Sequence, residues 1–359
     1  MSALLNSGIT ILVFLAILVV LVVVHELGHF VTARLSGVRV HEFGIGFPPR
    51  ARVLRSGGET LYTLNWLPLG GFVRLEGEEG ESDDPRSFVR QSLLRRTVIL
   101  AAGVAMNLLL ALAIFVVIAA AFEPLAVTKV VSVLPGSPAA SVGLVPGDVI
   151  QAVDGQTFPY FDSQAPTDVL RAHPGQRVTL TVQHPGGGIS QVPVTLRDEA
   201  AIQAGQGALG ITALLQLQGT VHRAPLAAVE VGTVRTVQAC GLIVGALGDF
   251  VVHLVRNPTQ APALAGPIGV AEAVGTVRTE APPVVLFWLI GLLSANLAVV
   301  NILPFPPLDG GRIAVGVVQA VTRNRISASL ERATYLAGFL LLFGLLIWVS
   351  YFDLIRAGA

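Results

Sequence analysis

Four stretches of this chain are apolar over lengths characteristic of membrane spans: Ile9 to Val24, Val98 to Phe122, Val284 to Leu303 and Thr334 to Phe352. At 1.5 Å of rise per residue, helices through these runs match a hydrocarbon core of about 30 Å. Lipid offers the backbone no hydrogen-bond partners, so such runs commit the chain to helices that satisfy their own amides. Composition agrees, with 53% hydrophobic and 13% charged residues and a mean hydropathy of +0.71, where soluble domains carry roughly 25% charge. The first run has no positively charged leader and no small-residue cleavage site before His25-Glu26, so it reads as a retained helix rather than a signal peptide. A fifth run, Thr236 to Gly248, is broken by Asp249 and His253 and flanked by Arg235 and Arg256. It reads as an amphipathic interfacial helix, too short to span comfortably.

The formal net charge is zero, which argues against a nucleic-acid partner. The distribution of basic residues is more informative. Arg34 to Arg96 holds ten arginines and the loop from Arg312 to Arg332 four more, whereas Glu123 to Pro283 holds only eight basic residues. The two arginine-rich loops are therefore expected in the cytoplasm, with the long segment and both termini on the other side. The single cysteine, Cys240, excludes an internal disulfide and reads as a small buried hydrophobe.

Outside the spans, Val38 to Leu75 alternates apolar residues with arginines around Ser56-Gly57-Gly58, the pattern of a β-hairpin or small sheet. Glu76 to Asp84 reads as a solvated acidic connector. From Val127 to about Arg197 short β-rich runs alternate with Gly/Pro turns. Ser137 is placed to cap a one-turn helix with Pro138 at its first position and Gly143 at its end. Pro146-Gly147 then turns into a buried strand, and Asp154-Gly155 turns out of it. This ordered series of turns resembles the PDZ domain of membrane and periplasmic proteases, which takes extended peptides at a sheet edge.

The chemistry is concentrated in His25-Glu26-Leu27-Gly28-His29, directly on the first apolar run. On a helix, residues i and i+4 share a face, so both imidazoles can reach one zinc ion while Glu26 stands beside them to take a proton from water. His25 lies about 24 Å along a helix from Ile9, near the cytoplasmic end of the span. Three ionisable groups at that depth are costly, and snorkelling explains neither the glutamate nor the spacing. Catalytic zinc usually takes three protein ligands, and His41, His173, His184, His222 and His253 are isolated in the sequence. Asp309 stands out instead, as the only charge between Glu280 and Arg312. It ends Asn301-Ile302-Leu303-Pro304-Phe305-Pro306-Pro307-Leu308-Asp309-Gly310-Gly311, where prolines must break the helix. Irregular backbone at membrane depth requires burial in protein or a water-filled cavity.

Over essentially its whole length the chain resembles the site-2 protease family, in the single-PDZ form of the bacterial regulator of sigma-E protease type. The resemblance rests on the HExxH motif, on the N-x-x-P-x-P-x-L-D-G segment around Asp309, and on the PDZ-like insertion. Weaker marks are Ala102-Gly103-Val104-Ala105-Met106-Asn107, with Val104 where the family has proline, Gly266-Pro267-Ile268-Gly269, and Gly70-Gly71-Phe72-Val73. It implies an α-helical polytopic membrane protein of about four transmembrane helices, with a membrane-associated β-hairpin region and an inserted β-rich PDZ domain. The expected layout is a first span with the zinc motif (1–36), the hairpin region and acidic loop (37–97), a second span (98–122), and the PDZ domain (127–200). An extracytoplasmic connector with an amphipathic helix (201–283), a third span with the aspartate motif (284–311) and a fourth span (333–352) complete it. The resemblance further implies Zn2+ held by His25, His29 and Asp309, Glu26 as catalytic base, and Asn296 and Asn301 in substrate handling. The implied partners are the lipid bilayer of the bacterial cytoplasmic membrane and single-span protein substrates already cut outside it, such as anti-sigma factors or remnant signal peptides.

Two other readings compete. A PDZ-bearing membrane adaptor with a dead site is disfavoured by the complete set His25, Glu26, His29 and Asp309. An ion-coupled transporter would show repeated halves with matching broken helices, which the sequence does not.

Overall fold

The computed structural model describes residues 2–78, 82–161, 166–257, 260–262, 264–322 and 328–358. These form two compact units, Val117–Val229 and Met1–Val116 with Glu230–Ala359.

The larger unit opens with α1 (Ser2–Leu35), which carries the first apolar run unbroken through the HExxH motif. A long antiparallel hairpin follows, β1 (Val40–Arg55) with β2 (Leu61–Leu75). Its inner end is held by a buried charge. Burial opposes ionisation of Glu42, but hydrogen bonds from Arg50 and Thr63 outweigh it and keep the carboxyl below the usual range. Then α2 (Leu93–Val117) runs straight through Val104 and ends in a π turn, Ile118–Phe122. The family proline is thus not needed for the helix to pass this point.

The inserted unit is a five-stranded antiparallel sheet in the order β6-β5-β4-β3-β7, built from β3 (Glu123–Val133), β4 (Val149–Val153), β5 (Arg177–Gln183), β6 (Ile189–Thr195) and β7 (Ile211–Val221). Three short helices, α3 (Pro138–Ser141), α4 (Pro166–Arg171) and α5 (Glu199–Gln203), complete it. The Ser137 hydroxyl caps α3 by accepting from Ala140 N, with Pro138 in its first turn. Alternate residues of β5, Val178, Leu180 and Val182, bury against Ile150, Val153 and Phe158. His184 is not the isolated side chain the sequence suggested: it bridges buried Asp148 and Ser190, at 2.8 Å each, and so fastens one end of the sheet. The unit also extends beyond the expected 127–200 limits, because β7 pairs with β3 along its length and so supplies an edge strand from within the expected connector.

The chain returns to the larger unit through α6 (Pro225–Arg256), followed by α7 (Pro267–Glu280), α8 (Pro283–Asn301), α9 (Asp309–Val321) and α10 (Ala328–Gly358). Among the described residues five helices, not four, are long and apolar enough to cross a membrane; the addition is α6. The expected short run grows to 32 residues because Arg235 is buried within the helix instead of ending it. The middle of α6, at Ala239, Cys240 and Ile243, clusters with Ala111 and Phe115 of α2 and Ala295 of α8. Gly232 packs on the backbone of Val116 of α2, and Phe250 meets Trp348 of α10. The expected loop from Arg312 to Arg332 is helical as far as Val321; Arg323 and Arg325 lie outside the described residues. The acidic connector is also not merely solvated. Asp84 pairs with Arg39 at 2.6 Å, Glu76 with His41 at 2.5 Å and Glu78 with Arg312 at 2.5 Å; residues 79–81 lie outside the described set.

Buried Asp353 of α10 accepts from Gly269 N at 2.9 Å, capping α7 from a distant part of the chain. A Cβ on Gly266 would strike that carboxylate, which explains the glycines of Gly266-Pro267-Ile268-Gly269. Asp353→Ala removes a charge-assisted bond worth about 1.5–3 kcal/mol. The expected outcome is a lower thermal midpoint of the detergent-solubilised protein; an unchanged midpoint would remove this cap from the account.

Candidate metal centre

The helical repeat of α1 sets His25 and His29 on one face, with their rings 4.8 Å apart and nearly perpendicular. Asp309 reaches them because the chain breaks after α8 and turns back at Pro304 to Leu308 before α9 begins. A Cβ on Gly310 would collide with the carbonyl of Ile302, and one on Gly311 with that of Phe305. The pair of glycines is what lets the loop fold onto the first turn of α9.

The three ligand atoms converge. His25 Nε2 lies 3.1 Å from His29 Nε2, and Asp309 Oδ2 lies 3.0 Å from the first and 3.3 Å from the second. A tetrahedral ion with bonds of about 2.0–2.1 Å sets its ligands roughly 3.3–3.4 Å apart, close to these spacings. All three residues are mostly buried, and Asp309 Oδ2, though within ion-pair distance of both imidazoles, makes no well-directed hydrogen bond. Among the described residues this is the one group of histidine, cysteine and acidic side chains close enough to share a metal ion. Two imidazoles, one carboxylate and an adjoining space fit a catalytic zinc set.

That space is a cavity of about 230 Å³ lined by His25, Glu26, His29 and Asp309 together with Gly71, Phe72 and Val73 of β2 and the Glu78–Arg312 pair. The hairpin approaches closely: a Cβ on Gly71 would lie 3.8 Å from Glu26 Cγ. On the opposite side α2 packs on α1 through Gly28 and Gly103, and a Cβ on Gly103 would stand 2.5 Å from His29 Nε2 and 2.7 Å from His25 Cε1. His29 Nδ1 donates to the Ile99 carbonyl at 2.8 Å, and His25 Nδ1 meets the Asn107 side chain at 3.2 Å.

Not every expected site residue gathers here. Asn296 is exposed on α8 and Asn301 is half-buried at its end, and neither lines the cavity. Conversely, Glu78, Arg312 and the ligand partner of Asn107 were not foreseen. Gly103 and Asn107 stood in a recognised segment without a role, and no spacing rule announces a contact across 82 residues.

A buried metal-ligand cluster at the end of a membrane-length helix, beside a glutamate and a strand, defines a metallopeptidase of the membrane. The chain matches the sequence profile of peptidase family M50 over residues 13–345 and belongs to that family, the site-2 proteases. It is 35% identical over 335 residues to a protein of Clostridium perfringens named "putative zinc metalloprotease", covering 93% of this chain and 95% of that one. Proteins of Brucella suis and Nostoc bearing the same description are each 31% identical, over 96% and 95% of this chain and 95% and 94% of their own lengths.

Gly103→Ala tests the close approach. Alanine favours a helix by about 1 kcal/mol over glycine, but here its methyl group would enter the ligand cluster. The variant is expected to insert and fold while its zinc content, read by elemental analysis, falls well below the wild-type value. Full zinc content would show that α2 does not crowd the ligands.

Proposed function

We propose that this chain is an intramembrane zinc endopeptidase that hydrolyses peptide bonds in or beside the bilayer, with His25, His29 and Asp309 holding the metal. The convergence of buried His25 and His29 with partly buried Asp309 on one point, and Glu26 on the wall of the same cavity, carries the reading. Zinc, when bound, polarises the scissile carbonyl and lowers the pKa of water. Glu26 accepts the proton of the attacking water and delivers it to the leaving amine. A substrate helix has its amides already paired, so it must be unwound and offered new partners. Strand β2, passing Glu26 at Gly71-Phe72-Val73, supplies them by β-addition. Asn296 is a polar side chain exposed on a helix of mean hydropathy 2.2, where lipid would leave its amide unsatisfied. Contact with substrate is the role we assign to it and, at the loop entrance, to Asn301.

The inserted unit fits a PDZ role. A second cavity of about 230 Å³ opens between β7 and α4, floored by Gly207-Ala208-Leu209-Gly210, a place for an extended chain end at a sheet edge. Its partners in this reading are single-span proteins already shortened outside the membrane. The arginine distribution orients the protein in a bacterial cytoplasmic membrane with the hairpin inside and the inserted unit outside.

Glu26→Gln is expected to abolish cleavage of a model transmembrane peptide while keeping zinc, whereas His25→Ala and Asp309→Asn lose metal as well. Full zinc occupancy in both ligand variants would remove these residues from the site. Orientation is read separately in a Cys240→Ala background. A cysteine at exposed Ser141 should react with an impermeant thiol reagent in intact cells and one at exposed Ser56 should not; the reverse pattern would invert the topology. Ser163, an alternative labelling position, lies outside the described residues.

A further inference from the structure

A neutral imidazole binds a metal through one nitrogen only when the other carries the proton, and the group facing that other nitrogen decides where the proton sits. His29 is prepared in this way. Its Nδ1 lies 2.8 Å from the Ile99 carbonyl, which can only accept, so Nδ1 keeps the hydrogen and Nε2 keeps its lone pair.

His25 needs the same preparation, and the only described group at its Nδ1 is the carboxamide of Asn107. Asn107 is fully buried, its Nδ2 stands 3.2 Å from His25 Nδ1, and its Oδ1 has no partner. In that orientation the amide donates. The imidazole proton then falls on Nε2, within 3.1 Å of His29 Nε2 and 3.0 Å of Asp309 Oδ2, where the metal must sit. The oxygen and nitrogen of a carboxamide have nearly the same shape, and a half-turn about the Cβ–Cγ bond exchanges them. The buried oxygen then accepts from Nδ1–H and the Nε2 lone pair faces the metal.

We propose that Asn107 is a positioning residue for the metal centre, its Oδ1 accepting from His25 Nδ1–H and so fixing the tautomer and ring orientation of that ligand. The inference rests on the reading of His25 as a zinc ligand. A second contact gives Asn107 its own anchor. Ser294 of α8, also fully buried, donates its hydroxyl to the main-chain carbonyl of Asn107 at 2.8 Å, which holds the backbone and not the carboxamide. A chain of contacts thus runs from α8 through α2 to the ligand on α1, linking the helix that leads to Asp309 with the helix that carries the histidines.

The test uses full-length protein in detergent and measures zinc affinity by competition with a chromophoric chelator. Asn107→Leu, similar in size and without an acceptor, is expected to weaken zinc about 10–100-fold, the usual effect of losing an outer-shell partner. Asn107→Asp, isosteric and able only to accept when ionised, is expected to hold zinc within about threefold of wild type, well inside that outer-shell effect. Wild-type affinity in Asn107→Leu would overturn the proposal. So would loss of affinity in Asn107→Asp, since a donor is what that result describes; if the leucine protein does not fold, Asn107→Ala takes its place, with wild-type affinity overturning the proposal. His25→Ala is the control that separates the two levels: if it binds zinc like wild type, the zinc-site reading itself fails, whatever Asn107 does.

Discussion

Three candidate ligand atoms held within 3.3 Å of one another inside a helix bundle set a demand that the rest of the larger unit meets. Helix axes normally pack 8–10 Å apart, and imidazoles on α1 leave no room for a side chain on the helix behind them. Gly28 and Gly103 remove the two Cβ atoms that would stand between α1 and α2. Asp309 comes from a third direction, which a continuous helix through the prolines could not provide. The broken segment after α8 is therefore a requirement of the ligand geometry, and Gly310 and Gly311 are the residues that allow it.

A bundle of helices has no free backbone groups to offer a peptide, because its amides are consumed within each helix. In the proposed function the hairpin supplies such groups. Its strand β2 lies beside Glu26, and its charges are arranged to hold it there, not to solvate it. Glu42, only 2% exposed, takes Arg50, Thr63 and Arg74. Glu78 ties the end of β2 to α9 through Arg312, three residues beyond Asp309. At the outer edge Arg86 pairs with Glu59, lowering that carboxyl and raising the guanidinium. The edge that can pair with substrate and the aspartate that can bind metal are thus braced against each other.

The parts of this arrangement that were legible in the sequence are those that depend on local periodicity. The i, i+4 histidines, the proline break before Asp309, the hairpin around Gly57-Gly58 and the cap at Ser137 are all short-range statements. What escaped was set by partners far along the chain. Arg235 looked like the end of a helix because its burial is invisible from α6 alone. The strand β7 looked like connector because its only reason to be a strand is β3, some 80 residues earlier. The acidic residues from Glu76 to Asp84 looked solvated because Arg39, His41 and Arg312 approach only in the fold. Asn107 is the sharpest case, an asparagine on an apolar helix whose partner belongs to another helix.

Burial of an ionisable group in a membrane bundle does not by itself mark a site, and Asp353 shows what does. By position it is as anomalous as Asp309, an almost fully buried acid on an apolar helix. Its surroundings differ. One oxygen of Asp353 accepts from Gly269 N at 2.9 Å and the other stands 3.5 Å from an Arg356 guanidinium nitrogen. A backbone donor and a fixed positive charge stabilise that carboxylate within the fold, and its work is to hold α7. Asp309 Oδ2 faces two imidazole nitrogens at hydrogen-bond distance with no well-directed bond to either. One of those imidazoles directs its Nδ1 at the Ile99 carbonyl, which leaves its Nε2 facing the carboxylate. Asp353 Oδ1 likewise lacks a hydrogen bond, so it is the convergence of two imidazoles and a carboxylate on one point, more than burial or an unpaired oxygen, that marks the candidate metal site.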